Sequence, residues 1–140
     1  MTASLAPLGT VTRLATVAER YIRDIPTPDP ASVTLYPGTG LIEIQPGGSR
    51  VSSPVATLGG LLVWTYSLTG VTGDWWHTSE GNLHITLYGR GPCGVRFKVY
   101  SSIRYHAASH VLALRKGDQE SVTPDELYRL ALELQKGQDQ

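Results

Sequence analysis

Four side chains that can bind a metal ion or move a proton lie close together in the sequence: Asp74, His77, Glu80 and His84. Carboxylates and imidazoles at close range can ligate a metal or act as general acid and base. The stretch crosses a predicted turn, however, and its spacings match no known metal-site pattern. We therefore favour a solvated strand end and turn. A small hydrolase or metal enzyme built on Asp74, His77 and His84 is the third of three functional hypotheses.

Other residues with reactive or ligating side chains lack the partners that their chemistry needs. His106 and His110 would share one face of a helix, but no third metal ligand accompanies them. Cys93 is the only cysteine, and no histidine lies at a spacing that would supply its base. The glycine-containing turns at 38–40 and 89–91 lack the lysine and the helix start of a phosphate loop. We predict no catalytic residue, no metal ligand and no cofactor, and favour a protein that is not an enzyme.

The most informative surface is one side of a predicted β-hairpin. Apolar and polar residues alternate over 83–88 and again over 95–100, which is typical of half-buried strands. One side is apolar, and the other is aromatic and basic. Tyr, Trp and Arg are enriched at protein interfaces. The predicted interaction surface comprises Trp75, Trp76, His84, Tyr88, Arg96, Lys98, Tyr100 and Arg104.

Composition decides between the uses of this surface. Twelve basic and twelve acidic residues give a formal net charge of zero, and charged residues are 17% of the chain. A neutral surface with few charges favours self-association. The first hypothesis is therefore a non-catalytic interaction or regulatory module that binds a protein partner or a second copy of itself. The alternative is a nucleic-acid-binding protein that uses the basic and aromatic face of the 82–104 hairpin, where Arg96, Lys98 and Tyr100 offer phosphate contact and base stacking. The zero net charge disfavours this alternative.

The register of this hairpin follows from a parity argument. Directly opposed residues lie on one face, and a slip of one residue would turn the apolar set outward. The pattern predicts that the turn centres on Gly91, with an odd-length loop and a glycine in the left-handed conformation. The predicted pairs are Leu87 with Val95, Ile85 with Phe97, and Leu83 with Val99.

Local signals place the elements of the first half of the chain. Apolar residues recur at helical spacing over 11–24, after a possible N-cap at Thr10. A hairpin is predicted over 32–45, with a four-residue loop at 37–40 that pairs Leu35 with Ile42 and Val33 with Ile44. Ser53 and Pro54 predict the start of an apolar helix over 54–69 that Gly70 ends. Gly59 and Gly60 inside that helix would be tolerable if another backbone packs closely there.

Two helices separated by a polar loop are predicted in the second half of the chain. Residues 106–115 are rich in Ala and Leu and lack strict alternation, so we favour a helix there over a strand. Residues 116–121 are a predicted polar loop. Thr123, Pro124 and Glu126 form a capping-box signature before a helix with an apolar stripe.

Together these elements predict an α+β domain in the order α-β-β-α-β-β-α-α. Two hairpins would form one mostly antiparallel sheet, with helices packed on one face. A single domain over 10–136 would lie between a flexible arm at 1–9 and a frayed tail at 137–140. The most apolar run, 58–68, is shorter than the roughly 20 residues that span a bilayer, and no signal peptide precedes it, so we expect a cytoplasmic protein without membrane contact. Nine arginines against three lysines are typical of coding from a GC-rich bacterial genome.

Overall fold

The computed structural model describes residues 6–26, 30–47 and 53–138, which form three α-helices and one six-stranded sheet. The strand order is β1-β2-β5-β4-β3-β6, and every pair is antiparallel except β2 with β5, which is parallel. The predicted α+β class with a mostly antiparallel sheet is confirmed. The elements are α1 (Ala6–Arg23), β1 (Ser32–Tyr36), β2 (Leu41–Gln45), α2 (Pro54–Tyr66), β3 (Thr69–His77), β4 (Asn82–Arg90), β5 (Arg96–Arg104), β6 (Gln119–Val122) and α3 (Pro124–Gln138).

The helices pack against one side of the sheet, which we call the inner face. Tyr21 of α1 lies 4.4 Å from Phe97 of β5 and 5.8 Å from Trp64 of α2, measured between ring centroids. Helix α3 packs against α2 and β3, and Leu127 is fully buried there. Burial of these large apolar side chains supplies the main favourable term in folding. No described helix is long and apolar enough to cross a bilayer.

The first hairpin has the predicted structure. Strands β1 and β2 pair with Leu35 opposite Ile42 and Val33 opposite Ile44, and residues 37–40 form the turn. Ile42 and Ile44 are fully buried. The turn residues and the requirement for one apolar face together leave a single register.

The second hairpin keeps the predicted faces but not the predicted pairs, which are wrong. Leu87 lies opposite Val99, Ile85 opposite Ser101, and Leu83 opposite Ile103. The strands run on to Arg90 and resume at Arg96, so the five-residue loop centres on Cys93 and not on Gly91. Gly94 has the predicted left-handed conformation, at φ 71°, and the exposed Cys93 shares it, at φ 61°. The parity rule allows the register to shift by any even number of residues, because each such shift keeps the apolar residues on one side of the sheet. It therefore predicted the faces but could not select the pairs.

Two helix boundaries differ from the prediction. Helix α1 begins at Ala6, so Thr10 lies inside it and is not its N-cap. Ser53 caps α2 as predicted, since its Oγ accepts from the Ala56 N–H at 3.1 Å. That helix ends at Tyr66 and not near 69, and Gly70 lies in β3. The capping box of α3 is confirmed by reciprocal bonds between Thr123 and Glu126, at 3.1 and 3.2 Å.

The predicted element order is wrong around β3 and after β5. Residues 69–77 form a full strand, and 119–122 form the edge strand β6, which overlaps the loop predicted at 116–121. The predicted helix over 106–115 is absent; a short 3₁₀-helix covers Tyr105–Ala108. The Tyr105 hydroxyl donates to the Leu112 carbonyl and accepts from the Leu114 N–H at 2.8 Å. Because these backbone groups bond to a side chain, they are not available to a helix ladder.

Several predicted segments fall partly outside the described residues. They are residues 1–5 of the predicted arm, residues 48–52 between the predicted hairpin over 32–45 and the predicted helix over 54–69, and residues 139–140 of the predicted tail. Residues 6–9 of the arm belong to α1. The flexibility of the arm and the fraying of the tail stay predictions.

Two glycines should respond to alanine in opposite directions. A Cβ at Gly59 in α2 would meet no atom within 4 Å, which also shows that the predicted close backbone contact is absent there. Gly59→Ala should therefore raise the free energy of unfolding by about 1 kcal/mol. At Gly73 in β3, a Cβ would lie 2.4 Å from Leu87 Cδ2 and 2.6 Å from the Thr86 carbonyl oxygen. Gly73→Ala should lower the free energy of unfolding by about 1–3 kcal/mol.

Urea unfolding of the two variants beside the wild type measures both effects. A Gly59→Ala variant less stable than the wild type would contradict the open space beside α2. A Gly73→Ala variant as stable as the wild type would contradict the tight packing between β3 and β4.

Candidate functional site

The side of the sheet opposite the helices carries a band of aromatic and charged side chains, which we call the outer face. Its residues alternate with the buried residues of the inner face along each strand. Tyr36 and Trp76 are 42% and 44% exposed. The polar and aromatic residues of the outer face include Tyr36, Glu43, Thr72, Asp74, Trp76, His84, Thr86, Tyr88, Arg90, Arg96, Lys98, Tyr100 and Arg104.

An aromatic row crosses the middle of the outer face from β3 to β5. The rings of Trp76 and His84 are 6.3 Å apart and meet edge to face, and those of His84 and Tyr100 are 5.6 Å apart at 31°. The ammonium of Lys98 lies 5.6 Å from the centre of the Tyr100 ring, within the range of a cation–π interaction. Trp76, His84 and Tyr100 therefore form a continuous apolar and aromatic strip on an otherwise polar face.

A polar cluster ends the aromatic row on the side of β2. Lys98 Nζ lies 3.6 Å from Glu43 Oε1, and the Tyr36 hydroxyl donates to Glu43 Oε2 at 2.6 Å. This hydrogen bond is the main reason that the pKa of Tyr36 is raised, with burial and the charge of Glu43 as smaller causes. The parallel pairing of β2 with β5 sets Glu43 opposite Lys98. The positive charge of Lys98 is thus paired within the chain.

His84 is held as a neutral imidazole. Partial burial lowers its pKa, the nearby Lys98 ammonium lowers it further, and the Asp74 carboxylate opposes both effects. At neutral pH the ring accordingly lacks a charge that would oppose burial against another surface. This protonation state suits contact better than proton transfer at neutral pH.

Seven of the eight predicted interaction residues lie on the outer face. The exception is Trp75, which points to the inner face, is only 5% exposed, and has its indole N–H 3.4 Å from Glu120 Oε1. Trp75 therefore leaves the predicted surface, while Trp76 stays on it. Arg104 lies at the far end of β5, where it donates to Asn82 Oδ1 at 3.3 Å. Whether the other seven make contacts with a partner stays a prediction.

The residues that the sequence reasoning missed are Tyr36, Glu43 and Arg90. The first two come from a different hairpin, and only the β2–β5 pairing places them beside Lys98. Arg90 falls in a predicted turn but is the last residue of β4, directly opposite Arg96. The alternation of the first hairpin marked Glu43 as outward-facing, but no local signal indicates which strand lies next to it.

The candidate metal or acid–base cluster does not assemble. His77 lies on the inner face, where its Nδ1–H donates to the Leu114 carbonyl at 2.8 Å and its ring stacks on Tyr105 at 3.7 Å. Asp74 and His84 lie on the outer face. No three His, Cys, Asp or Glu side chains that could hold a metal ion come together in the described ranges. His106 and His110 are exposed and share no α-helix.

Comparison with protein-family models, curated proteins and solved structures finds no significant match to this chain. We therefore infer the function from the geometry of the outer face.

The pKa of His84 should respond to its two charged neighbours in opposite directions. Lys98→Met should raise the pKa toward its ordinary value of about 6.5, and Asp74→Asn should lower it. Lys116→Met, a change in an exposed turn, should leave it unchanged. NMR titration of the imidazole signals in each variant measures these shifts. The same pKa in all three variants would contradict the described arrangement.

The free energy of unfolding should depend on pH because the pKa of His84 differs between the folded and the unfolded chain. Because the folded-state pKa of His84 lies below the ordinary value, the unfolded chain takes up this proton first as the pH falls. The stability that neutral His84 contributes is present above pH ~6.5 and is lost as the pH falls from there through the folded-state pKa. His84→Gln should lose less stability than the wild type between pH 7.5 and 5, measured by urea unfolding.

Proposed function

We propose that this protein is a non-catalytic interaction module that associates with a second copy of itself through the outer face. The observation that carries the proposal is the aromatic row of Trp76, His84 and Tyr100 on a sheet face that no described helix covers. Aromatic side chains contribute large contact area at interfaces and are enriched among the residues that dominate binding energy. A regulatory role would follow if association controls access to this face.

The charges of the outer face support burial against another protein. Burying an unpaired charge is costly. Here Lys98 and Tyr36 already contact Glu43, and His84 is neutral. The aromatic row could therefore enter an interface together with its polar neighbours at a small desolvation cost.

The remaining charges favour a second copy as the partner. Asp74 on β3 and Arg104 on β5 place opposite charges at separate positions of the same face. In a two-fold dimer each surface meets its own copy, so Asp74 of one protomer can approach Arg104 of the other. The balance of twelve basic and twelve acidic residues also leaves no net repulsion between copies.

Replacing the exposed tryptophan should separate the copies. Trp76→Ser should weaken self-association by roughly tenfold or more, because a central interface tryptophan is commonly worth about 2 kcal/mol. Tyr66→Ser is the matched control, since Tyr66 is 90% exposed but lies on α2, away from the outer face. Sedimentation over a concentration series measures the association of both variants and the wild type.

A wild type that stays monomeric at every concentration would contradict the proposal. Equal weakening by Trp76→Ser and Tyr66→Ser would assign association to another surface.

Nucleic-acid binding through Arg96, Lys98 and Tyr100 is the alternative, and the adjacent Arg90 and Arg96 favour it. The ion pair of Lys98 with Glu43 disfavours it, because this ammonium is already neutralised. The alternative predicts salt-dependent binding of a single-stranded oligonucleotide that Arg96→Ala/Lys98→Ala abolishes. Arg129→Ala, on the exposed side of α3, is the control and should bind as the wild type does. No binding of any oligonucleotide at low salt would remove the alternative.

A further inference from the structure

We propose that a groove at one end of β3, β4 and β5 binds a small molecule that carries a phosphate group, between the guanidinium groups of Arg90 and Arg96. This inference goes beyond the proposed self-association and does not depend on it. It follows from a like-charge pair, from the residues that line the groove, and from an irregularity of the backbone beside it.

The first observation is that two arginines are direct cross-strand partners. Arg90 and Arg96 are the last residues of β4 and the first of β5, and both are exposed. Like charges directly opposite each other destabilise an antiparallel pair. Within the described part of the chain, neither arginine forms an ion pair with a carboxylate. An anion bound between them would turn this repulsion into a binding interaction.

The Arg90 side chain is also held in place. Its Nη1 donates to the Gly94 carbonyl at 2.9 Å. A guanidinium has five N–H donors, and this is the one hydrogen bond that the side chain makes among the described residues. Most of its donors are therefore free for a ligand, and the bond to the loop limits its rotamer freedom. Such preorganisation reduces the entropic cost of binding.

The second observation is the groove itself, which has a volume of ≈ 400 Å³. Small-molecule sites commonly measure about 300–1,000 Å³. Thr72 and Tyr88 line it and supply hydroxyl donors, and none of its lining residues is acidic. The lining residues are Gly70, Thr72, Tyr88, Gly89, Arg90 and Arg96.

The third observation is a bulge in β3 at the wall of the groove. Thr69 pairs with Arg90 and Thr72 pairs with Tyr88, so β3 has one extra residue between the two pairs. Gly70 in this bulge has φ +61°, a conformation that side chains other than glycine rarely adopt. Bulges bend a strand and occur often beside functional sites. Here the bulge lies beside Tyr88 and Arg90.

The chemistry of the lining selects the ligand class. Guanidinium groups bind phosphate oxygens through paired, charge-assisted hydrogen bonds. Two arginines and two hydroxyls can satisfy the oxygens of one terminal phosphate group. The size of the groove favours a phosphate monoester or a diphosphate over a polymer.

Isothermal titration calorimetry with inorganic pyrophosphate, at an ionic strength matched with sodium chloride, tests the site. The wild type should bind, and Arg96→Gln should bind at least roughly tenfold more weakly, as expected for the loss of charge-assisted hydrogen bonds. Arg104→Gln is the matched control. Arg104 lies on the same strand and face, but its cross-strand partner is Asn82 and it is outside the groove. This variant should bind pyrophosphate as the wild type does.

Three results would overturn the site: no pyrophosphate binding by the wild type, equal binding by Arg96→Gln, or an equal loss in Arg104→Gln. Binding of a single-stranded oligonucleotide without any binding of pyrophosphate would overturn it in favour of the nucleic-acid alternative.

Two further measurements distinguish anion binding by Arg96 from a role of Arg96 in the fold, and the anion site from the self-association surface. Without ligand, Arg96→Gln should unfold at the same temperature as the wild type or at a higher one, because it removes a like-charge pair. A clearly lower temperature would show that Arg96 supports the fold and would count against the site. Trp76→Ser should still bind pyrophosphate, so failure of self-association and failure of the anion site remain distinguishable.

Discussion

The parallel pairing of β2 with β5 is the contact on which the rest of the structure depends. It sets Ile42 opposite Phe97 and Ile44 opposite Val99, and all four side chains are fully buried. Without it, the first hairpin would be an isolated two-stranded unit, which is marginally stable at best in water. Burial of this apolar set against α1 and α2 joins the first hairpin and the strands β3 to β5 into one sheet with one core.

The same pairing shapes the outer face. Residues adjacent to the buried set point outward, so Glu43 lies opposite Lys98 as a direct consequence of the inner contacts. The ion pair between them, the bond from Tyr36 and the neutral state of His84 make the centre of the face compatible with burial. Arg90 and Arg96, which form no ion pair among the described residues, face each other at the end of β4 and β5. The outer face thus has a centre suited to protein contact and an end suited to an anion.

The segment after β5 shows how side chains can override local propensity. Residues 106–115 have a helical composition, yet Tyr105 uses its hydroxyl to bind two backbone groups of this segment. His77 adds a stacked ring and a bond to the Leu114 carbonyl. His77, a candidate metal ligand by sequence, therefore has a structural role and holds the segment after β5 against β3. Its position in β3 connects the sheet to the loop that precedes β6.

The sequence by itself determined the features that depend on neighbouring residues. The turn at 37–40, the caps at Ser53 and Thr123, and the alternation of β4 and β5 are local, and each predicted its element or its faces correctly. The sequence placed both Trp75 and Trp76 on the predicted surface, but adjacent residues of a strand face opposite ways, so only one of them could lie on the outer face of β3.

Only the tertiary structure decided the features that join distant segments. Parity left several even registers open for the second hairpin, and a loop with glycines at 91 and 94 does not select among them. The short polar strand β6 has no apolar alternation and forms because β3 offers it a free edge. The place of Glu43 beside Lys98, and of Arg90 beside Arg96, follows from strand pairing that no local pattern encodes. The sequence therefore indicated which residue types form the candidate site. Which of these residues lie next to each other depends on the long-range packing of the core.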